Sequence, residues 1–247
     1  MTQTKLKIAL IGYGKMGQTI EQLAIERGHT IVAKYTSKNP PSKKDLKALD
    51  ADAAIEFTRP DAVLDNIKQA LGARLPIVVG TTGWENELQK ITDKCLEKES
   101  RLIHASNFSV GVNMLFEINR KLAKLMNAFP EYAVEIEETH HTQKLDAPSG
   151  TAISLANDIV KNVDGIESWR LSEGPNPGDD RIPITALRKD DVKGIHHVTY
   201  TSGIDQITIS HEAFTRDGFA LGSILAAEFL VEQKPGVYTM KDYFKSL

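Results

Sequence analysis

The sequence predicts an α/β protein with two domains: an N-terminal doubly wound parallel sheet and a second α+β domain with a mixed sheet. In the first hundred residues, short apolar strand-like runs alternate with helix-like runs, an order typical of a parallel sheet covered on both faces. Beyond about residue 108 the strand-like runs follow one another, which favours antiparallel or mixed pairing. The 247 residues, 41% of them hydrophobic, suffice for one large core or two modest ones.

The first predicted strand leads directly into a glycine motif. Residues 5–11 are strand-like, residues 18–27 are helix-like, and residues 30–35 form a second strand-like run. A G-x-G-x-x-G motif in this strand–helix–strand context is the fingerprint of a Rossmann-like dinucleotide-binding fold. The first two glycines allow a tight turn close to a pyrophosphate, and the third allows helix and strand to pack closely. The predicted cofactor contacts here are Gly12, Tyr13, Gly14, Lys15, Met16 and Gly17.

Small or hydroxyl-bearing residues also follow the next three predicted strands, at residues 53–57, 76–79 and 102–105. Helix-like runs at residues 60–71 and 84–98 lie between these strands. Ligands of parallel sheets lie beyond the carboxyl ends of the strands, although the same residue types are common in turns. Because the pattern recurs at four strand ends, we expect backbone and hydroxyl donors of residues 58–60, 80–83 and 106–109 to line a cofactor.

The remaining pattern defines a second domain. Helix-like runs at 112–129 and 151–163 and strand-like runs at 132–139, 182–188, 195–202 and 204–213 make up this part, with a Gly/Pro-rich surface loop at 173–178. The helix-like run 218–232 is expected to return to the first domain. We therefore predict a dinucleotide-binding domain from residues 1–107 and 214–247, and a substrate-binding and oligomerisation domain from residues 108–213.

The last strands of the second domain suggest an interface between subunits. They carry apolar residues that we expect on both faces of the sheet, among them Ile184, Ala186, Ile207 and Ile209. A small sheet that is apolar on both faces would leave a large hydrophobic patch exposed, which a symmetric partner would cover.

Composition excludes several classes of protein. The net charge of -3 and pI near 6.2 argue against a nucleic-acid partner, and no apolar stretch is long enough to span a membrane. The single cysteine, Cys95, excludes an internal disulfide framework. Cys95 lies at helical spacing from Trp84, Leu88 and Ile91, which places it on the buried face of a predicted helix. This favours core packing over a nucleophilic role. We expect a cytoplasmic protein.

The most unusual segment is E-T-H-H-T-Q-K-L-D-A-P-S-G-T, at residues 138–151. It brings two histidines and a lysine to the start of a predicted helix, where free N–H groups and the helix dipole attract anions. This combination indicates an enzyme that transfers protons to an anionic small molecule. Adjacent histidines on a strand point in opposite directions, and the others are scattered, so we predict no metal site. Asp146 has a purely structural alternative, an Asx-turn ahead of Pro148.

This segment closely resembles the signature of the 4-hydroxy-tetrahydrodipicolinate reductase (dihydrodipicolinate reductase) family of the bacterial diaminopimelate and lysine pathway. Matching segments at 12–17, 57–60, 80–83, 107–113 and 194–196 extend the resemblance along the chain. It implies an NAD(P)H-dependent reduction of a cyclic dicarboxylate, 4-hydroxy-tetrahydrodipicolinate, with loss of water. It also implies a homotetramer.

The resemblance further implies roles for individual residues. His140 would be the acid/base residue, Lys144 the proton donor and His141 a substrate contact. A substrate carboxylate would be held by Ser149, Gly150 and Thr151. The nicotinamide side of the cofactor would be lined by Gly80, Thr81, Thr82, Ala105, Ser106, Asn107 and Phe108.

The choice between the two nicotinamide cofactors depends on the end of the second strand. NAD-binding folds usually carry Asp or Glu there to bind the ribose hydroxyls. This chain has Tyr35-Thr36-Ser37-Lys38, and hydroxyls with a cation suit a 2′-phosphate. We therefore predict that Thr36, Ser37 and Lys38 contact the cofactor and that NADPH is preferred, with NADH also used.

Two alternatives remain open from the residues alone. Another two-domain enzyme, such as a semialdehyde or homoserine dehydrogenase, would share the glycine motif, but the former needs an exposed nucleophilic cysteine. A non-catalytic dinucleotide sensor would carry a DNA-binding element or an incomplete proton-transfer set. Neither alternative explains the histidine pair followed by Lys144.

Overall fold

The computed structural model describes residues 5–172 and 180–247, which form two compact units. Unit 1 comprises Met1–Val110 and Asp217–Leu247, and unit 2 comprises Gly111–Arg216. The domain limits expected from the sequence, after residue 107 and before residue 214, lie close to these divisions. The loop predicted at residues 173–178 lies outside the described residues.

Unit 1 contains a six-stranded parallel sheet in the order β11-β5-β4-β3-β1-β2. Its strands are β1 (Lys7–Ile11), β2 (Thr30–Tyr35), β3 (Ala53–Glu56), β4 (Ile77–Val79), β5 (Arg101–His104) and β11 (Gly236–Thr239). Its helices are α1 (Lys15–Glu26), α2 (Lys43–Ala48), α3 (Val63–Ala73), α4 (Leu88–Glu97), α7 (Asp217–Val231) and α8 (Met240–Lys245), with a 3₁₀ turn at Glu85–Glu87.

Strand alternation sends the side chains of this sheet into two separate cores. On β1, Ile8 and Leu10 pack with α1 and α7, whereas Ala9 and Ile11 pack with α3 and α4. Both faces are therefore covered, which confirms the doubly wound arrangement. Cys95 lies in the second core, where burial raises the pKa of its thiol to about 11, so the prediction of a packing role is confirmed.

Unit 2 contains a mixed five-stranded sheet in the order β10-β9-β6-β8-β7. Its strands are β6 (Ala133–His140), β7 (Ser168–Leu171), β8 (Arg181–Arg188), β9 (Ile195–Thr201) and β10 (Gln206–Glu212), and its helices are α5 (Val110–Met126) and α6 (Gly150–Val160). Strand β6 runs parallel to β8 and antiparallel to β9. The predicted mixed sheet is therefore confirmed.

The register of this sheet corrects one expectation. Ile136 of β6 pairs with Ile184 and with Val198, which in turn pairs with Ile209. Because alternate residues of a strand share a face, all four residues chosen from the sequence lie on the face of the core residue Ile136: Ile184, Ala186, Ile207 and Ile209. The prediction that they make both faces apolar is therefore wrong.

The opposite face is largely polar. There Thr199 pairs with Thr208 on one side and Glu135 on the other, and the two threonine hydroxyls lie 3.1 Å apart.

Among the described residues, no helix combines the length and the apolar character needed to cross a membrane.

Candidate active site

The end of β6 gathers the proton-transfer residues of unit 2. Glu138 and His140 share one face of the strand, and a Glu138 carboxylate oxygen hydrogen-bonds Nδ1 of His140. The register places His196 of β9 opposite Glu138, and its ring meets that of His140 edge-on with centroids 5.1 Å apart. Strand pairing thus joins a glutamate and two histidines that are distant in sequence.

Glu138 is fully buried, and its carboxylate accepts hydrogen bonds from several donors. Arg188 Nη1 lies 3.0 Å from Oε1, and the backbone N–H of Ser149 lies 3.3 Å from the same oxygen. Burial alone raises the pKa of this carboxyl, but the hydrogen bonds and charges of His140 and Arg188 outweigh it and leave the pKa below its ordinary value. The group is therefore an anion at neutral pH.

Arg188 also holds the loop that carries Lys144. Its guanidinium donates to the carbonyl oxygens of Lys144, at 3.3 Å, and Asp146, at 2.6 Å. Within the loop, Lys144 Nζ lies 2.8 Å from both carboxylate oxygens of Asp146, and this contact is the main reason that the pKa of Asp146 is lowered. The Asp146 carboxylate thus orients the lysine ammonium, a role that the Asx-turn hypothesis did not include.

The Ser149 hydroxyl already forms hydrogen bonds within the protein. It is buried, accepts a hydrogen bond from Ala152 N at 3.2 Å as the N-cap of α6, and lies 3.1 Å from His196 Nε2. Burial lowers the pKa of His196 to about 3, so this imidazole is neutral. The open position at this helix start is Gly150, where an added Cβ would meet no atom of the described chain within 4 Å.

His141 and Thr151 flank these groups in different ways. His141 is partly buried, and its Nδ1 atom has no hydrogen-bond partner among residues 5–172 and 180–247. Thr151 follows Gly150 in the first turn of α6. Both lie in the segment that we expected to meet the substrate.

The cluster of Glu138, His140 and His196 has the chemistry of a metal site. One ligand atom from each lies within 4.8 Å of the others, a grouping that the scattered histidines of the sequence did not suggest. However, Arg188 places a positive charge on the same carboxylate, and Ser149 engages His196. With the His140 contact, both Glu138 oxygens are used, and His140 Nδ1 and His196 Nε2 are engaged as well, whereas His196 Nδ1 has no hydrogen-bond partner in the described chain. We interpret the cluster as a hydrogen-bonded network.

The glycine motif of unit 1 has the geometry that a dinucleotide needs. Gly12 has φ +99°, and an added Cβ would lie 2.0 Å from the carbonyl oxygen of Phe57. A Cβ on Gly17 would lie 2.3 Å from the carbonyl oxygen of Gly12, whereas Gly14 faces open space within the described structure. Two of these glycines are therefore required by close packing, and Gly14 leaves room for a ligand.

A cavity of about 400 Å³ lies beside this motif. Five predicted cofactor residues line it: Gly12, Tyr13, Gly14, Thr36 and Ser37. Thr58 and Arg59, which the sequence placed after the strand at residues 53–57, also line it, whereas sequence reasoning missed Asn66. Lys38 is not among the lining residues. No carboxylate side chain in the described part of the chain lines this cavity.

The other predicted cofactor residues follow strands of the same parallel sheet. Thr81 Oγ1 accepts a hydrogen bond from Thr58 N at 2.7 Å, and a Cβ on Gly80 would lie 2.2 Å from the Phe57 ring. The Phe108 side chain is 1% exposed and packs in the core, so only its backbone is available to a ligand. The remaining members lie at the start of α1 or at strand ends: Lys15, Met16, Thr82, Ala105, Ser106 and Asn107.

Comparison with known proteins shows the family of the chain. Residues 6–108 match the family model "Dihydrodipicolinate reductase, N-terminus", and residues 111–244 match the corresponding C-terminus model. The chain belongs to the dihydrodipicolinate reductase family. A 4-hydroxy-tetrahydrodipicolinate reductase of Christiangramia forsetii is 46% identical over 98% of this chain and 99% of its own length. One of Caldanaerobacter subterraneus is 34% identical over 94% and 95%.

Solved structures show the same fold. Dipicolinate-bound dihydrodipicolinate reductase from Paenisporosarcina sp. TG-14 has a TM-score of 0.76 at 24% identity, covering 96% of this chain and 98% of its own. The family resemblance inferred from the sequence is confirmed. As a member, the chain is an NAD(P)H-dependent oxidoreductase that reduces 4-hydroxy-tetrahydrodipicolinate in diaminopimelate and lysine biosynthesis. The alternatives of another dehydrogenase or a dinucleotide sensor are rejected.

Proposed function

We propose that unit 2 carries out the proton transfers of this reduction with His140 and Lys144, and that the start of α6 holds a substrate carboxylate. The observation that supports this most strongly is the hydrogen-bonded network around Glu138. It joins the strand that ends at His140, the loop of Lys144 and the backbone of Ser149.

The chemistry of the reduction needs these groups. The bound nicotinamide supplies a hydride to the conjugated ring, and electron density then develops next to an imine. A nearby cation stabilises that density, while an acid protonates the neighbouring carbon. We assign the cation and proton donor to Lys144 and the acid/base role to His140, with His141 contacting the substrate.

The helix start would bind one carboxylate of the substrate. Ser149 acts there by capping the helix rather than by touching the substrate, because its hydroxyl is engaged with Ala152 N and His196 and its backbone N–H donates to Glu138. We assign the direct contacts to Gly150, which faces open space, and to Thr151. The dipole of the 11-residue helix α6 favours an anion at this end.

Unit 1 would bind the dinucleotide along the edge that carries the glycine motif, with a preference for NADPH over NADH. The cavity beside the motif offers the hydroxyls of Thr36 and Ser37 and the guanidinium of Arg59. A carboxylate that repels a 2′-phosphate is absent from its described lining. We keep Lys38 as a further cation from the adjacent turn.

An assay of wild type and Ser37→Glu tests both parts of this proposal. Wild type should oxidise NADPH, followed at 340 nm, only when the freshly made condensation product of pyruvate and aspartate semialdehyde is present. Ser37→Glu should raise KM for NADPH by about tenfold, since a new charge near the 2′-phosphate costs on the order of 1–2 kcal/mol, and leave KM for NADH equal or lower. Unchanged KM values would place the 2′-phosphate elsewhere, and no oxidation by wild type would refute the substrate assignment.

We also propose that the enzyme is a homotetramer assembled through unit 2 and acts in the cytoplasm. Helix α5 exposes large apolar side chains spaced for one helical face, namely Met114, Ile118 and Leu125. Exposed apolar stripes of this kind usually mark an interface. Multi-angle light scattering at micromolar concentration should give a mass of about four chains. A stable 27.3 kDa species would contradict the assembly.

A further inference from the structure

Glu138 occupies an unusual position for a charged residue. It is fully buried, and in the described chain its two carboxylate oxygens serve groups from three separate segments. These groups are His140 Nδ1 on β6, Arg188 Nη1 on β8 and the backbone N–H of Ser149 ahead of α6. A buried carboxylate is costly unless each of its oxygens is paired in this way.

We propose that Glu138 is a positioning residue for the reduction: it fixes His140 with a proton on Nδ1 and leaves Nε2 as the nitrogen that exchanges protons with the substrate. This inference rests on the proposed acid/base role of His140. It adds which nitrogen of His140 exchanges protons with the substrate and which residue determines that choice.

The hydrogen-bond donors around Glu138 determine the tautomer of His140. Arginine and backbone N–H groups only donate, so Oε1 of Glu138, which faces both, only accepts, and Oε2 is the oxygen that faces His140. An ionised carboxylate has no proton to give to His140, and therefore Nδ1 must carry the hydrogen that joins the two. His196, the other ring of the cluster, is neutral and engages Ser149 through Nε2, so it does not displace His140 from the carboxylate.

The second nitrogen of His140 faces a small residue. An added Cβ on Gly194 would lie 3.1 Å from His140 Nε2, and Gly194 has φ +155°. The absence of a side chain there leaves space beside Nε2. Nε2 is thus the nitrogen that a reacting group can approach.

The same carboxylate also orients the lysine loop. Through Arg188, which binds the carbonyl oxygens of Lys144 and Asp146, Glu138 is one contact away from the segment that places the Lys144 ammonium. One anion therefore sets the orientation of His140 directly and that of the Lys144 loop through its counter-ion. Its removal should affect turnover through both groups.

The first test replaces Glu138 by Gln. An amide has one accepting oxygen, so its NH₂ group must face either His140, whose Nδ1 would then have to accept instead of donate, or the Arg188 and Ser149 donors, which would then lose their acceptor. We expect kcat to fall by about 10- to 100-fold, as for other groups that orient a working histidine, while KM for NADPH stays within about twofold. Glu138→Asp, which keeps the charge, should retain more activity than Glu138→Gln.

Glu117→Gln is the matched control. Glu117 also pairs with an arginine of unit 2, Arg120, in a half-buried contact on α5 that shares no residue with the Glu138 network, so its loss should leave kcat unchanged. If folded Glu138→Gln, judged by circular dichroism, turns over like this control, the positioning role is refuted.

The second test needs no variant that might fail to fold. Nitrogen-15 NMR of wild-type protein, with His140 assigned by the signal lost in His140→Gln, reports which nitrogen of the neutral ring carries the proton. We expect Nδ1–H with unprotonated Nε2. An Nε2–H tautomer, or an even mixture, would overturn the inference. Normal turnover of His140→Gln would instead refute the proposed acid/base role, whatever the tautomer.

Discussion

Replacing His140 with Gln or Lys144 with Ala is expected to lower kcat by about 10²–10³-fold, the usual cost of losing one acid/base or charge-stabilising group. Both side chains lie in the network of unit 2, whereas the glycine motif and its cavity belong to unit 1. KM for NADPH should therefore barely change. Initial rates at saturating substrate and varied NADPH give both quantities, kcat and KM for NADPH.

Two substitutions in the same unit serve as controls. His197 neighbours His196 on β9 but points to the other face of the sheet, and Lys161 follows the end of α6 on the surface. His197→Gln and Lys161→Ala should turn over at close to the wild-type rate. If His140→Gln or Lys144→Ala does the same, that residue takes no part in the mechanism.

Gly12→Ala is expected to lower the free energy of unfolding by about 2–6 kcal/mol. A residue other than glycine is strained at φ +99°, which costs about 1–3 kcal/mol. The added methyl group would also lie 2.0 Å from the Phe57 carbonyl oxygen, and relieving that overlap costs about 1–3 kcal/mol more. Denaturant unfolding followed by circular dichroism measures the loss.

Gly14→Ala separates stability from cofactor binding. Gly14 has φ -88°, a conformation open to alanine, and a methyl group there would meet no described atom within 4 Å. Its stability should therefore match wild type within about 0.5 kcal/mol. Because the methyl group occupies the space that a pyrophosphate needs, affinity for NADPH should fall at least about tenfold in fluorescence titration. Equal effects of both substitutions would contradict this interpretation of the motif.

Elements with a continuous or periodic apolar pattern were predictable from the sequence. The second strand was predicted with the bounds that the structure gives, Thr30–Tyr35, whereas α2, β7, β11 and α8 were missed. These four elements are only four to six residues long, too short to establish a period. The two short helices did carry a local signal, since capping boxes open α2 at Ser42 and α8 at Thr239.

The sequence indicated members of the candidate site only where they are close to one another along the chain. His140 and Lys144 belong to one segment, and strand alternation already placed Glu138 on the face of His140. Arg188 and His196 lie about fifty residues further along the chain. Arg188 contacts the Glu138 carboxylate, and His196 contacts Ser149 and the His140 ring, only because their strands pair with β6. Register depends on the tertiary fold, so a single sequence indicates such partners only through a family motif.

Unit 1 can complete its core only with residues that follow unit 2 in the sequence. Helix α7 supplies Ala220, Ile224 and Leu230 to the core that covers one face of the parallel sheet, and β11 completes the edge beside β5. All of these residues follow the whole of unit 2 in the sequence. During synthesis on the ribosome, α1 can cover part of that face, but the part over β3, β4 and β5 stays uncovered until α7 has been translated. A chain terminated after unit 2 would therefore present the apolar side chains of β3, β4 and β5 on that face to water, the type of surface on which chaperones and proteases act.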